Sequence, residues 1–301
     1  MIVFFAYDGV WLEHIYMTDK LLESKYIIMT KYNEKVFERA SVIIPCGIES
    51  QIKLNKYQKF KHKFLISSLR VYNILDDKLL YYIFIKKYNI LHDTNIKLID
   101  TYDCHYNGEN KFGKYIVKHK DGTGSCSNKI MEDHIYNLIK KYSKKYQIQD
   151  VLNIRYIHGV NCLFKNGKII SSLDFLTPGF ITDDFYDKNN TEYLQQVQHD
   201  ILKIISKIGN ILLYNGLIEF EFIEDTNNML YILEANPRMS GNILCMTDIE
   251  NDNPYVRNLI LPYCDLIKHR PIELKIYNDS TKLTYYGNIR VPSRIKRKII
   301  D

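Results

Sequence analysis

The chain has 301 residues, 46% of them hydrophobic and 25% charged, with a formal net charge of +6. That length builds a full core in two or three subdomains, and that composition excludes a disordered or fibrous chain. The positive excess is small and spread along the sequence, which argues against a nucleic-acid partner and suits an anionic small ligand.

No apolar run approaches the roughly 20 residues of a membrane span, so no membrane association is expected. The opening MIVFFAYDG stays apolar for only about five residues before Asp8, too short for a secretory leader. Six cysteines (Cys46, Cys104, Cys126, Cys162, Cys245, Cys264) form no C-x-x-C pair and no cluster with histidine. A reduced, cytoplasmic protein is the expectation.

In chain order, IVFFA (2–6) predicts a buried strand, VWLEHIYMTDKLLESK a helix, and YIIMT and SVIIP two more short strands. That pattern is a small α/β layer over residues 1–70, with no glycine-rich turn after its first strand. Residues 76–89 have helical spacing, with Asp76 or Asp77 as N-cap. KYIVKHKDGTGSCSNKIM (114–131) reads as a strand, a glycine-containing loop and an ambiguous stretch, and 133–146 as an amphipathic helix. Residues 151–177 read as strands with a hairpin turn at Asn166-Gly167. Residues 192–213 form the longest helix candidate, and LIEFEFIEDTNNMLYILEAN is strand, polar turn, strand. The last thirty or so residues alternate enough for one or two strands.

The last of these hairpins carries the chemistry. In GLIEFEFIED, Glu219 and Glu221 alternate with Ile218, Phe220 and Phe222, so the carboxylates share one face and the aromatics the other. The partner strand ends on Glu234, with Asn236 two residues on and Pro237 and Arg238 following. A turn around 225–228 brings Glu221 near Glu234. Two carboxylates and an amide oxygen are hard donors, suited to Mg²⁺ together with substrate phosphates. Arg238 can meet a phosphate bidentately. An edge hairpin with a solvated acidic face is the plain alternative. The strongly apolar flanks and the Asn-Pro-Arg turn weigh against it.

YILEANPRMSG resembles the C-terminal signature of the ATP-grasp superfamily, in which a strand ends in E-x-N-P-R and the Glu and Asn hold Mg²⁺ on ATP phosphates. GLIEFEF resembles the strand that supplies a further acidic ligand. Glu221 lies 13 residues before Glu234 and 5 after Gly216, as in that pattern; Glu219 points the same way and stays open. DDKLLYYIFIKKYNI resembles the segment opening the nucleotide region, with Lys78 after an acid. YIVKHKDGTGSCSN resembles the phosphate strand and its mobile loop, with Lys118, Gly122, Gly124 and Ser125 at the matching places. IRYIHGVNCLFKNGKII resembles the strand pair that frames adenine and ribose. It puts Arg155 and Asn161 on the nucleotide; the places where acids are common in the family hold Ile154 or Arg155, and Asn161, which would bond a ribose hydroxyl as a neutral partner.

The resemblance implies an α/β (α+β) ATP-grasp fold behind an N-terminal Rossmann-like layer. The expected units are 1–70, a linker helix and small subdomain over 71–152, and a C-terminal subdomain with the metal site over 153–301. It implies an ADP-producing carbon–nitrogen ligase using ATP and Mg²⁺ (Mn²⁺ as an alternative) on small carboxylate and amine substrates. Glu221, Glu234 and Asn236 would hold the metal, Lys78 and Lys118 the phosphates, and Arg238 with Lys118 would act in catalysis. The rival readings are a nucleotide-binding module without catalysis and a structural protein with an acidic hairpin.

Overall fold

The computed structural model describes residues 1–7, 26–119, 128–178, 191–240 and 255–270. The predicted helix at 10–25 and the predicted C-terminal strands lie outside the described residues.

The N-terminal layer holds β1 (Ile2–Phe5), β2 (Tyr26–Met29), α1 (Glu34–Arg39), β3 (Val42–Pro45) and α2 (Ile48–Leu54). Its sheet is parallel in the order β2-β1-β3. Every residue of β1 is buried, as a central parallel strand requires. Val3 and Phe5 pack with Phe37, Leu54 and Phe60, while Ile2 and Phe4 pack with Leu163, Leu217 and Tyr263 of the later chain.

Two helices follow, α3 (Leu69–Asp76) and α4 (Lys78–Lys87). Sequence periodicity predicts the second of these, with Asp76 or Asp77 as its N-cap, and does not predict the first. The break falls at Asp77, whose extended backbone ends the first helix and whose carboxylate caps the second through Leu79 N and Leu80 N, both at 2.9 Å. Capping strength alone does not reveal that a second helix runs up to the same residue.

A four-stranded antiparallel sheet then comprises β5 (Thr101–Tyr102), β6 (Phe112–His119), β7 (Lys129–His134) and β8 (Tyr146–Asp150), in the order β5-β8-β6-β7. The end of the stretch that sequence leaves ambiguous is β7, which also takes in Asp133 and His134, the first residues of the predicted helix. One face of this sheet packs Tyr115, Val117 and Ile148 on α5 (Ile135–Tyr142). Lys118 and Gln147, directly opposite each other, lie on the other face.

The largest sheet joins β9 (Ile154–Lys165), β10 (Lys168–Pro178), β11 (Gly216–Asp225), β12 (Leu230–Asn236) and the short β4 (Ile96–Leu98) in the order β10-β9-β11-β12-β4. Asn166 and Gly167 turn β9 into β10 with positive φ of 50° and 79°, the requirement that the Asn-Gly pair predicts. α6 (Thr191–Leu212) lays Ile201, Ile204, Ile205 and Ile208 against the Phe220 and Phe222 side of the sheet, together with Tyr72, Tyr81 and Phe84 of α3 and α4. The opposite face receives the N-terminal layer, a π-helical turn (Val256–Ile260) and α7 (Leu261–Ile267). Among the described residues no helix is long and apolar enough to cross a membrane.

Candidate functional site

β11 and β12 form the hairpin that the polar segment predicts. Asp225 closes it by accepting from Asn227 N and Met229 N at 2.9 Å, and Asn228 takes a left-handed φ of 60°. Glu221 then lies directly opposite Glu234, and Glu219 opposite Asn236.

A bulge makes this possible. Below it Phe222 pairs with Ile232, and above it Glu221 pairs with Glu234, so Leu233 is the extra residue. Strict alternation from Leu230 and Ile232, both core residues, would turn Glu234 into that core. The inserted residue switches the parity. Ala235 goes into the core, and Glu234 and Asn236 emerge on the face of Glu219 and Glu221.

Two lysines reach this face from different elements. Lys78, first residue of α4, places Nζ 3.0 Å from Glu234 Oε2. Lys118 comes from β6 and is only 8% exposed. Gln147, opposite Lys118, donates to the Lys78 carbonyl at 3.3 Å and so ties the smaller sheet to the start of α4. Asn236 Nδ2 lies 3.5 Å from Glu221 Oε1 and 3.4 Å from Glu234 Oε1, and Arg238 Nη2 donates to Asn236 Oδ1 at 3.2 Å. The Asn-Pro-Arg turn is held on the N-terminal layer: Gln51 Nε2 donates to Pro237 O at 2.5 Å, and Met239 N to Cys46 O at 3.2 Å.

The structure separates the two glutamates that sequence leaves open. Glu221 faces Glu234 and Asn236. Glu219 accepts from Ser240 Oγ at 2.7 Å and lies 3.9 Å from Arg238 Nη1. Asn161, opposite Glu219 on β9, is buried. Arg155 is not brought to this cluster. Its guanidinium bonds Asn228 Oδ1 at 2.5 Å and lies 4.0 Å from Glu224, at the hairpin's turn. Gly122, Gly124 and Ser125 lie outside the described residues. Ser240, Gln51 and Gln147 were not singled out from sequence. Ser240 stands two residues after Arg238, which was a usable signal, but the two glutamines had none. His158 pairs with Glu224 at 2.8 Å.

Charge is unevenly held. Burial, then the neighbouring Glu234 and Glu219, push Glu221 up to about 8. Burial also acts on Glu234, but Lys78 first, then Lys118 and Asn236, outweigh it and hold that carboxyl below its usual range. Burial lowers Lys118 to about 8 despite the attraction of Glu234. A raised Glu221 loses stability as pH climbs from the unfolded value toward 8. A lowered Lys118 lets the unfolded chain hold more protons above 8, so stability recovers there. Denaturant titrations of the ligand-free protein should therefore show that Glu221→Gln gains on wild type between pH 5 and 8, by on the order of 3 kcal/mol. A flat difference across that range would contradict the assignment of Glu221.

Gly159, opposite Glu221 on one side and Phe175 on the other, makes room for the Phe175 ring. A Cβ there would come within 1.8 Å of the Phe175 ring. Gly159→Ala should destabilise by about 1–3 kcal/mol in thermal denaturation, and adding Phe175→Leu should recover part of the loss.

Among the described residues no group of three or more His, Cys, Asp or Glu side chains is set to hold a metal. The donors here are two carboxylates and an amide beside two lysines. That set fits a hard divalent cation bound jointly with phosphates, since Mg²⁺ uses one or two carboxylates and takes its other ligands from phosphate and water.

No family model and no curated protein sequence matches the chain. Solved structures do. D-alanyl-alanine synthetase A from Vibrio cholerae superposes with a TM-score of 0.58 at 12% identity, over 89% of this chain and 98% of that one. An ATP-grasp superfamily protein from Archaeoglobus fulgidus gives 0.53 at 12% identity, over 90% and 89%. The biotin carboxylase domain of Hydrogenobacter thermophilus 2-oxoglutarate carboxylase, complexed with MgADP and bicarbonate, gives 0.54 at 14% identity, over 90% and 70%.

Proposed function

We propose that this chain, which has the ATP-grasp fold, is an ATP- and Mg²⁺-dependent ligase that activates a small carboxylate as an acylphosphate for attack by an amine. The convergence of Glu221, Glu234 and Asn236 with Lys78 and Lys118, drawn from two sheets and a helix start, carries this reading. The MgADP of a structural neighbour supports the choice of ligand.

Mg-ATP would supply the phosphoryl group and its charge neutralisation. The protein's part is positioning and electrostatics, which is most of what phosphoryl transfer asks of an enzyme. Glu221, Glu234 and Asn236 present hard oxygens. Lys78 and Lys118 offset phosphate charge, and the burial of Lys118 strengthens that effect by lowering the local dielectric. Arg238, anchored on Asn236 and on Met239 O at 3.1 Å, is placed to stabilise the transferred group.

Incubation with Mg-ATP and pooled small carboxylates and amino acids, followed by phosphate and ADP measurement, tests this. Release that requires both pools supports the ligase. Thermal stabilisation by Mg-ATP with no release would leave a nucleotide-binding module, and no stabilisation would leave neither.

A further inference from the structure

Asn161 is 1% exposed, and among the described residues neither its amide oxygen nor its amide nitrogen has a hydrogen-bond partner. A buried amide left idle costs about 1–3 kcal/mol, so such groups are normally satisfied, here by something the protein does not itself provide. The register puts this amide on the catalytic face. It is directly opposite Glu219 on one side and Leu173 on the other. Opposed residues on paired strands share a face, with Cβ atoms about 5 Å apart. Glu219 is itself 2% exposed, takes the Ser240 hydroxyl, and is one alternation along β11 from Glu221.

From this juxtaposition we infer that Glu219 and Asn161 together receive the ammonium group of the nucleophile. The inference rests on the ligase reading. A buried carboxylate repels an anionic group and attracts a cationic donor. The Asn161 oxygen adds a second acceptor beside it, and its nitrogen serves an acceptor on the same ligand. Arg238, 3.9 Å from Glu219 and bonded to Asn236, stands between this pocket and the phosphate ligands. Amine and phosphoryl group would thus meet across one guanidinium. The pocket would set specificity for the nucleophile and leave nucleotide affinity to the lysines.

Hydroxylamine, largely uncharged at neutral pH, traps an acylphosphate as hydroxamate without needing an ammonium site. Ammonium chloride and pooled amino acids are the charged probes. With Mg-ATP and pooled carboxylates, wild type should respond to both kinds. In Asn161→Leu and Glu219→Gln, the ratio of amine-dependent to hydroxylamine-dependent turnover should fall at least tenfold, through KM for the amine and not KM for ATP. Asn161→Leu should also melt no lower than wild type, because it removes an idle amide and keeps the volume. An unchanged ratio, a rise in KM for ATP alone, or a lowered melting temperature in Asn161→Leu would overturn the inference. Absence of hydroxamate with wild type would overturn the ligase reading, and this pocket's role with it.

Discussion

Glu234→Gln should lower ATP-dependent turnover by about 10³-fold and remove stabilisation by Mg-ATP, while the free protein keeps its fold. Glu234 is where the site's charges meet. It faces Glu221 across the hairpin, holds Lys78 at 3.0 Å, and is the carboxylate kept ionised by its neighbours. The amide of Gln has the same shape but no charge, so it offers a cation much less. The fold survives because the core face of β12 is made by Leu230, Ile232 and Ala235. Two readouts check this. Phosphate release gives the rate, and the melting shift with Mg-ATP gives binding, worth ~2.7 kcal/mol in wild type at a hundredfold excess over Kd. A variant that still turns over at the wild-type rate would remove the site from this hairpin.

Lys118→Met should cost roughly 10²-fold in kcat/KM for ATP and abolish the alkaline limb of its pH profile. Burial holds the ammonium of Lys118 near 8, so the free enzyme loses this charge as pH rises past that point. kcat/KM reports the free enzyme, so wild type should decline above pH 8 while the variant stays flat there. Met fills a similar volume without a charge to bury, so the free protein should be no less stable below pH 8. A persistent alkaline limb in Lys118→Met would assign it to another group. Comparison with Lys78→Met separates the two lysines. Lys78 is paired with Glu234 at the start of α4, so its loss should also weaken the carboxylate's ionisation.

Much of this was legible in the chain. Asn166-Gly167 marked its turn because only residues tolerating positive φ fit there. The Glu-Phe-Glu-Phe alternation of β11 assigned its faces because a strand's side chains alternate. The β12 alternation did not, since Leu230, Ile232 and Glu234 have one parity and the bulge at Leu233 sends them to different faces. The additional helix α3, which runs up to the N-cap of the predicted one, and the strand over 129–134 were likewise invisible to local pattern.

By itself the sequence determined the local elements and the cluster of ligand types at 219–238, because periodicity and residue chemistry are local properties. Only the tertiary structure decided which carboxylate serves which partner. It turned Glu221 to Glu234 and Glu219 to Ser240, and it left Arg155 at the far turn. It set Lys118 beside Lys78 from another sheet and buried Asn161 with both polar atoms idle. Register, bulges and long-range packing fix these relations, and they depend on residues distant in the chain, which no local window contains.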